Sequence, residues 1–198
     1  MRLIPANACR RQRWKNDGGW TTEIARSAAG DGEAGEFLWR VSIAEIETDG
    51  PFSLFPGVTR DLLLLGGNGI ELTIGEAEPM PLTRRFARAH FDGALPVQCR
   101  LIDGPTRDFN VMTRSADLHA DVLARPLVGT MIVPPDRGVH WLIHVLAGQA
   151  SASRGGQRLE LQAGDSLLLE DPLPGSGRLL LEGGGELLLV RFAPALPA

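Results

Sequence analysis

Lys15 is the single lysine of the chain; the other nineteen basic positions are arginine. It lies in Trp14-Lys15-Asn16-Asp17-Gly18-Gly19-Trp20, a run of two tryptophans, two glycines and three adjacent polar side chains. An ammonium is a compact charge with three rotatable donors, and its pKa moves more readily on burial than that of a guanidinium. Polar residues that could join it are Asn16, Thr21, Glu23, Arg40, Ser42, Asp108 and Asn110. If these converge, Lys15 and Arg40 present two cations to a carboxylate, which Arg40 can grip bidentately. Glu23 and Asp108 would orient those cations, and Asn16 and Asn110 each offer a donor and an acceptor. Trp14, Phe52 and Phe109 would supply the apolar wall usual in small-molecule pockets. His90 joins the set because its strand leads toward the same edge. The competing reading is a buried salt-bridge network that ties the N-terminal segment to the fold.

Other chemistries have less support. The histidines are His90, His119, His140 and His144, with no H-x-H pair. On a strand, His140 and His144 would stand about 13 Å apart, too far to share an ion whose bonds are about 2 Å long. Neither a metal nor any other cofactor is expected. There is no G-x-S-x-G, and Ser42 and Ser53 have no evident His or Asp partner. Gly66-Gly67-Asn68-Gly69 joins two strands and reads as a hairpin turn, with no helix N-terminus to hold a phosphate. An enzyme would be left with Lys15, His90 or Glu23 as acid or base, acting as a metal-free isomerase or hydrolase on a small carboxylate. Binding of a small acidic metabolite ranks above turnover. A third reading is an interaction protein whose second half offers a homodimer surface.

Composition bounds these choices. The 198 residues are 43% hydrophobic and 22% charged, with a net charge of −4, ordinary for a soluble globular protein. Arg10-Arg11-Gln12-Arg13 is the densest basic stretch and it is short, so no nucleic-acid partner is expected. Cys9 and Cys99 are far apart and read as two thiols. Met1-Arg2-Leu3-Ile4-Pro5 has no apolar leader pattern, and no apolar run approaches the ~18 residues of a membrane helix. A cytoplasmic location without membrane association is the expectation.

The elements that must position the polar set are strands. The 24 Gly and 14 Pro break the chain into short apolar runs, the pattern of an all-β sandwich or barrel. Leu3 and Ile4 open an entry strand, and Thr21–Arg26 forms another. The clearest runs from Phe37 to Ile46, with Phe37, Trp39, Val41 and Ile43 on one face and Leu38, Arg40, Ser42 and Ala44 on the other. Residues 30–35 form a Gly/Asp loop. Val97–Ile102 turns at Asp103-Gly104-Pro105 into a strand whose Asp108, Asn110 and Met112 oppose Phe109 and Val111. Asp117–Ala124 is the best short helix candidate.

The chain also repeats itself. Leu62-x-x-Leu65-x-Gly67 with Gly75 matches Ile143-x-x-Leu146-x-Gly148 with Gly156, and Leu101-Ile102-Asp103-Gly104 matches Leu180-Leu181-Glu182-Gly183. The offset stays near about 80 residues, the mark of a duplicated module. An L-x-G-x7-G hairpin, then Ala163-Gly164-Asp165 and an apolar strand, resembles the cupin barrel. The expected fold is thus a bicupin: two tandem cupin-like β-barrel halves stacked in one compact unit. Residues 1–115 would be the first half and 116–198 the second. Trp14-Lys15-Asn16-Asp17-Gly18-Gly19-x-Thr21-x-Glu23-Ile24 is similar to the WKNGGG-x-T-x-E-I motif of the HutD/Ves family. Phe37-x-Trp39-Arg40-Val41-Ser42-Ile43-Ala44, Gly50-Pro51-Phe52-Ser53 and Asp108-Phe109-Asn110 look like that family's later blocks. The resemblance is strong to about residue 114 and loose afterwards. Asp17 stands where the family pattern has glycine. The resemblance implies an accessory or regulatory role in histidine utilisation, with formylglutamate-like or formiminoglutamate-like ligands.

Overall fold

The computed structural model describes residues 1–27, 37–134, 136–170 and 177–195; the expected Gly/Asp loop at 30–35 lies outside them. Strands dominate, as the Gly/Pro punctuation implies, and the chain divides into two compact units. One is Arg10–Leu118; the other is Met1–Cys9 with His119–Ala198.

Strand β1 (Arg2–Ile4) opens the chain. The Arg10–Leu118 unit follows with β2 (Arg10–Arg13), β3 (Gly19–Arg26), β4 (Trp39–Ile46), β5 (Gly50–Pro51) and β6 (Val58–Gly66). It continues with β7 (Ile70–Ile74), β8 (Met80–Leu82), β9 (Arg88–Asp92), β10 (Val97–Leu101) and β11 (Thr106–Arg114). One sheet has the order β2-β3-β4-β11-β6-β9 and the other β5-β10-β7-β8. Their inner faces meet in a core of Ala44, Ile46, Leu62 and Phe91 against Ile70, Leu72, Val97 and Cys99. Period-two alternation sets which side chains enter it. On β4 the inward parity is Arg40, Ser42, Ala44 and Ile46, so one face runs from polar to apolar along its length.

Two expected hairpins are corners instead. β6 does not pair with β7, nor β10 with β11; each turn carries the chain from one sheet to the other. Gly67 and Gly69 adopt φ of 94° and 120°. A Cβ on Gly67 would lie 2.5 Å from the Pro105 carbonyl oxygen, so backbone crowding at this corner demands glycine. Asn68 Nδ2 ties the two corners together, donating to the Asp103 carbonyl oxygen at 2.9 Å.

The second unit contains β12 (Leu118–Val133), β13 (His140–Arg154), β14 (Gln157–Gln162), β15 (Ser166–Leu169) and β16 (Leu179–Pro194). The helix expected over Asp117–Ala124 is the start of β12, where Leu118, Ala120 and Val122 alternate with more exposed neighbours. The entry strand, expected within residues 1–115, pairs here. Leu3 lies opposite Leu167, Ile4 is buried, and the Ala6 amide donates to Asp165 Oδ1 at 2.9 Å. The unit's core includes Ile143, Val145, Leu161, Leu167, Leu181 and Leu187.

Candidate ligand pocket

The cavity of interest is built entirely within the Arg10–Leu118 unit and has a volume of about 650 Å³, within the range of small-molecule sites. Its walls come from β2, β3, β4, β11 and β6, closed by the loop after β5. The register explains the convergence. Arg10 faces Glu23 and Gln12 faces Thr21; Thr21 faces Ala44 and Glu23 faces Ser42; Ser42 faces Asn110 and Arg40 faces Met112. Directly opposed residues project to the same side of a sheet, so these chains form one continuous polar patch. An irregularity between Glu23 and Ala25 brings Arg26, and not Ala25, opposite Arg40. The extra residue of this bulge thus adds a cation that strict alternation would turn away.

Of the residues singled out by sequence, Lys15, Asn16, Thr21, Glu23, Arg40, Ser42 and Asn110 all line the cavity. Some are already engaged. Asn16 Oδ1 accepts from the Gly18 amide at 3.1 Å, fixing the loop, and Thr21 Oγ1 accepts from the Trp14 indole at 2.8 Å. Arg40 Nε donates to Glu23 Oε2 at 2.7 Å. Lys15 is exposed and has no carboxylate partner among the described residues. Asp17 does not mute it: that carboxylate and its carbonyl accept from Arg13. Asp17 holds a φ of 56°, so the left-handed turn suited to the family's glycine is kept by an aspartate.

Two expected members lie elsewhere. His90 sits opposite Asp61 on the outer side of the sheet, while its neighbour Phe91 points into the core. Its Nδ1 is 2.7 Å from Asp61 Oδ1, and the ring is 60% exposed. The parity of β9 therefore removes it from the pocket. Asp108 has the inward parity but is fully buried, beside Ala44 and beyond the lining. Thr106 Oγ1 donates to its Oδ2 at 3.1 Å, while Oδ1 has no partner. Burial pushes the Asp108 carboxyl up to about 7, partly offset by the Thr106 hydrogen bond. Phe109, expected in the apolar wall, has the outward parity and does not line the cavity; Trp14, Phe52, Phe55 and Met112 do.

Sequence reading missed Arg60. It is only 6% exposed, lies opposite Met112, and its guanidinium carbon stands 5.0 Å from the Phe52 ring centre and 5.2 Å from that of Phe91. Nη2 donates to Asn110 Oδ1 at 3.0 Å; Nε has no partner. Burial first, and then the Arg40 charge, lower the Arg60 pKa to about 10, which leaves it charged at neutral pH. A sequence signal existed: Arg60 shares parity with Leu62 and Leu64, placing a cation on an apolar face.

The lining therefore carries six cations, Arg10, Arg13, Lys15, Arg26, Arg40 and Arg60, and one carboxylate, Glu23. Such a set suits an anion. It does not fit the metal that many cupin folds hold, because it offers no histidine and its positive field opposes a divalent ion. Among the described residues no three His, Cys, Asp or Glu side chains cluster as metal ligands. No helix among them is long and apolar enough to cross a membrane.

Fold and site together define a two-unit protein of cupin-like fold with a cation-lined pocket in one unit. A cupin 2 conserved barrel domain protein from Leptotrichia buccalis shares the fold, with a TM-score of 0.53, 10% identity and 88% coverage of each chain. The chain belongs to the HutD family, whose model matches residues 6–189. HutD from Pseudomonas fluorescens SBW25 is 29% identical, with a TM-score of 0.79, covering 98% of this chain and 99% of that one. A conserved protein of unknown function from Pseudomonas aeruginosa PAO1 superposes with a TM-score of 0.83 at 29% identity, covering 100% and 99%. An uncharacterized 21.2 kDa protein in the hutC 3' region of Pseudomonas putida is 42% identical over 112 residues, 57% of each chain. Protein Ves of Escherichia fergusonii is 35% identical over 125 residues, 62% of this chain and 60% of that protein. These two alignments span less than two thirds of each relative's length.

Proposed function

We propose that the pocket binds a small acidic metabolite without a metal, in an accessory or regulatory role in histidine utilisation in the cytoplasm. Formylglutamate-like and formiminoglutamate-like compounds are the ligand class. The observation that carries this reading is the charge of the lining: six cations face one carboxylate in a chain whose net charge is −4. Arg10, Lys15 and Arg60 have no carboxylate partner among the described residues. A dianion of glutamate size would supply two of the missing counter-charges, and Trp14, Phe52 and Met112 would cover its methylenes. Membership of the HutD family and the likeness to the protein in the hutC 3' region of Pseudomonas putida support the pathway.

Thermal-shift screening of the purified protein against N-formyl-L-glutamate, N-formimino-L-glutamate, L-glutamate and neutral L-glutamine tests the reading. A ligand that binds only the folded state adds about 2.7 kcal/mol of stability at a hundred times its dissociation constant and so raises the melting temperature. The acidic compounds should produce a saturable rise and glutamine should not. An equal response to all four would contradict anion recognition.

A further inference from the structure

Arg60 combines three observations that a structural role does not reconcile. It is buried, it has no carboxylate partner among the described residues, and one of its nitrogens is unpartnered. A guanidinium in that position loses hydration without gaining a counter-charge, which costs folding free energy. The aromatic faces and the neutral Asn110 oxygen offset only part of that loss. An apolar side chain would pack against Phe52, Phe55 and Phe91 without it. Arg60 also lines the cavity; Nε is itself inaccessible, so the Nη donors that Asn110 does not engage are the ones left to face the space a ligand would occupy. Lys15 differs in kind: it lines the same cavity but is exposed.

We propose that Arg60 is the inner anchor of the pocket, receiving one carboxylate of a dicarboxylate ligand, while Lys15 and Arg10 hold the second near the rim. This rests on the anion-binding reading above and adds which cation meets which end. Asn110 occupies one of the five guanidinium donors and fixes the plane of the group, leaving the remaining Nη protons for an incoming carboxylate. The anchor is thus kept at the expense of stability in the unliganded protein.

The test uses the full chain with Arg60→Met and Arg60→Lys, melted without ligand and titrated calorimetrically with N-formyl-L-glutamate and, separately, with acetate as a carboxylate fragment. Arg60→Met should melt about 2 °C or more above wild type and raise the N-formyl-L-glutamate dissociation constant about 30-fold or more. Arg60→Lys, which keeps the charge but not the fork, should lose about tenfold. A lower melting temperature for Arg60→Met, or its failure to fold, would show a structural role and overturn the proposal. Unchanged affinity in Arg60→Met would do the same. If wild type ignores N-formyl-L-glutamate but shows a saturable acetate response that Arg60→Met abolishes, the ligand class is wrong and the anchor stands. Wild type that responds to neither probe overturns both.

Discussion

Arg60 and Asn110 are joined by a 3.0 Å hydrogen bond across adjacent strands, a buried cation held by a neutral amide. Asn110 is itself only 4% exposed, so neither partner can turn to solvent when the other is removed. Asn110→Leu should destabilise the protein by about 1–3 kcal/mol, the cost of leaving a buried donor unmet. It should also weaken anion binding, because the guanidinium plane is no longer fixed. Urea denaturation and calorimetry on the same variant check both; an unchanged denaturation midpoint would show that the bond carries no weight.

Lys15 is exposed and lines the cavity. Lys15→Arg keeps the charge but replaces a compact ammonium with a planar fork, and should weaken N-formyl-L-glutamate binding by about three- to tenfold. Lys15→Met should in addition flatten the dependence of affinity on salt, since exposed charges are the ones salt screens. Calorimetry at two ionic strengths reads both effects, and equal affinity for wild type and Lys15→Arg would remove any special role for the ammonium.

Asp108 predicts a pH dependence of stability. Its folded pKa of about 7 lies above the ordinary carboxylate value of 3.8. Between those values the folded state holds more protons than the unfolded state, so stability falls as pH rises through the window. The loss is absent below about 4, complete above about 7, and on the order of a few kcal/mol. Asp108→Asn imitates the protonated form and should flatten that decline, melting above wild type at pH 8 and close to it at pH 4. Parallel melting curves for the two proteins across this range would contradict the assignment.

Gly19 is required by close approach and not by left-handed backbone. A Cβ there would lie 2.3 Å from the Glu45 carbonyl oxygen on the neighbouring strand. Gly19→Ala should cost about 2–4 kcal/mol in a denaturant titration. A smaller loss would mean that β3 and β4 can separate locally without consequence.

Much of this was legible in the sequence because strands alternate with a period of two. Arg40 and Ser42 share a parity on β4, as Asp108 and Asn110 do on β11, and the two pairs meet on one face. Applied to β9 and β11, the same rule excludes His90 and Phe109, both expected at the pocket, because their neighbours Phe91 and Asn110 point inward. Arg60 stood beside a leucine run and drew no attention, although its parity with Leu62 placed it inside. Arg26 was beyond reach because a bulge, invisible to alternation, delivers it. Gly66–Gly69 read as a hairpin because glycine-rich turns look alike whether the next strand pairs with the last or crosses to another sheet. The pairing of Leu3 with Leu167 is set by contacts far apart along the chain, which local pattern does not encode.

The proposed function requires that a small dianion balance the excess positive charge of the pocket lining. Titration of N-formyl-L-glutamate into the wild-type protein at low salt, followed by isothermal calorimetry, tests it most directly. Saturable binding with one site per chain, weakened by added salt and by Arg60→Met, is the expected result. Absence of saturable heat with any of the acidic probes, alongside an unshifted melting temperature, would contradict it.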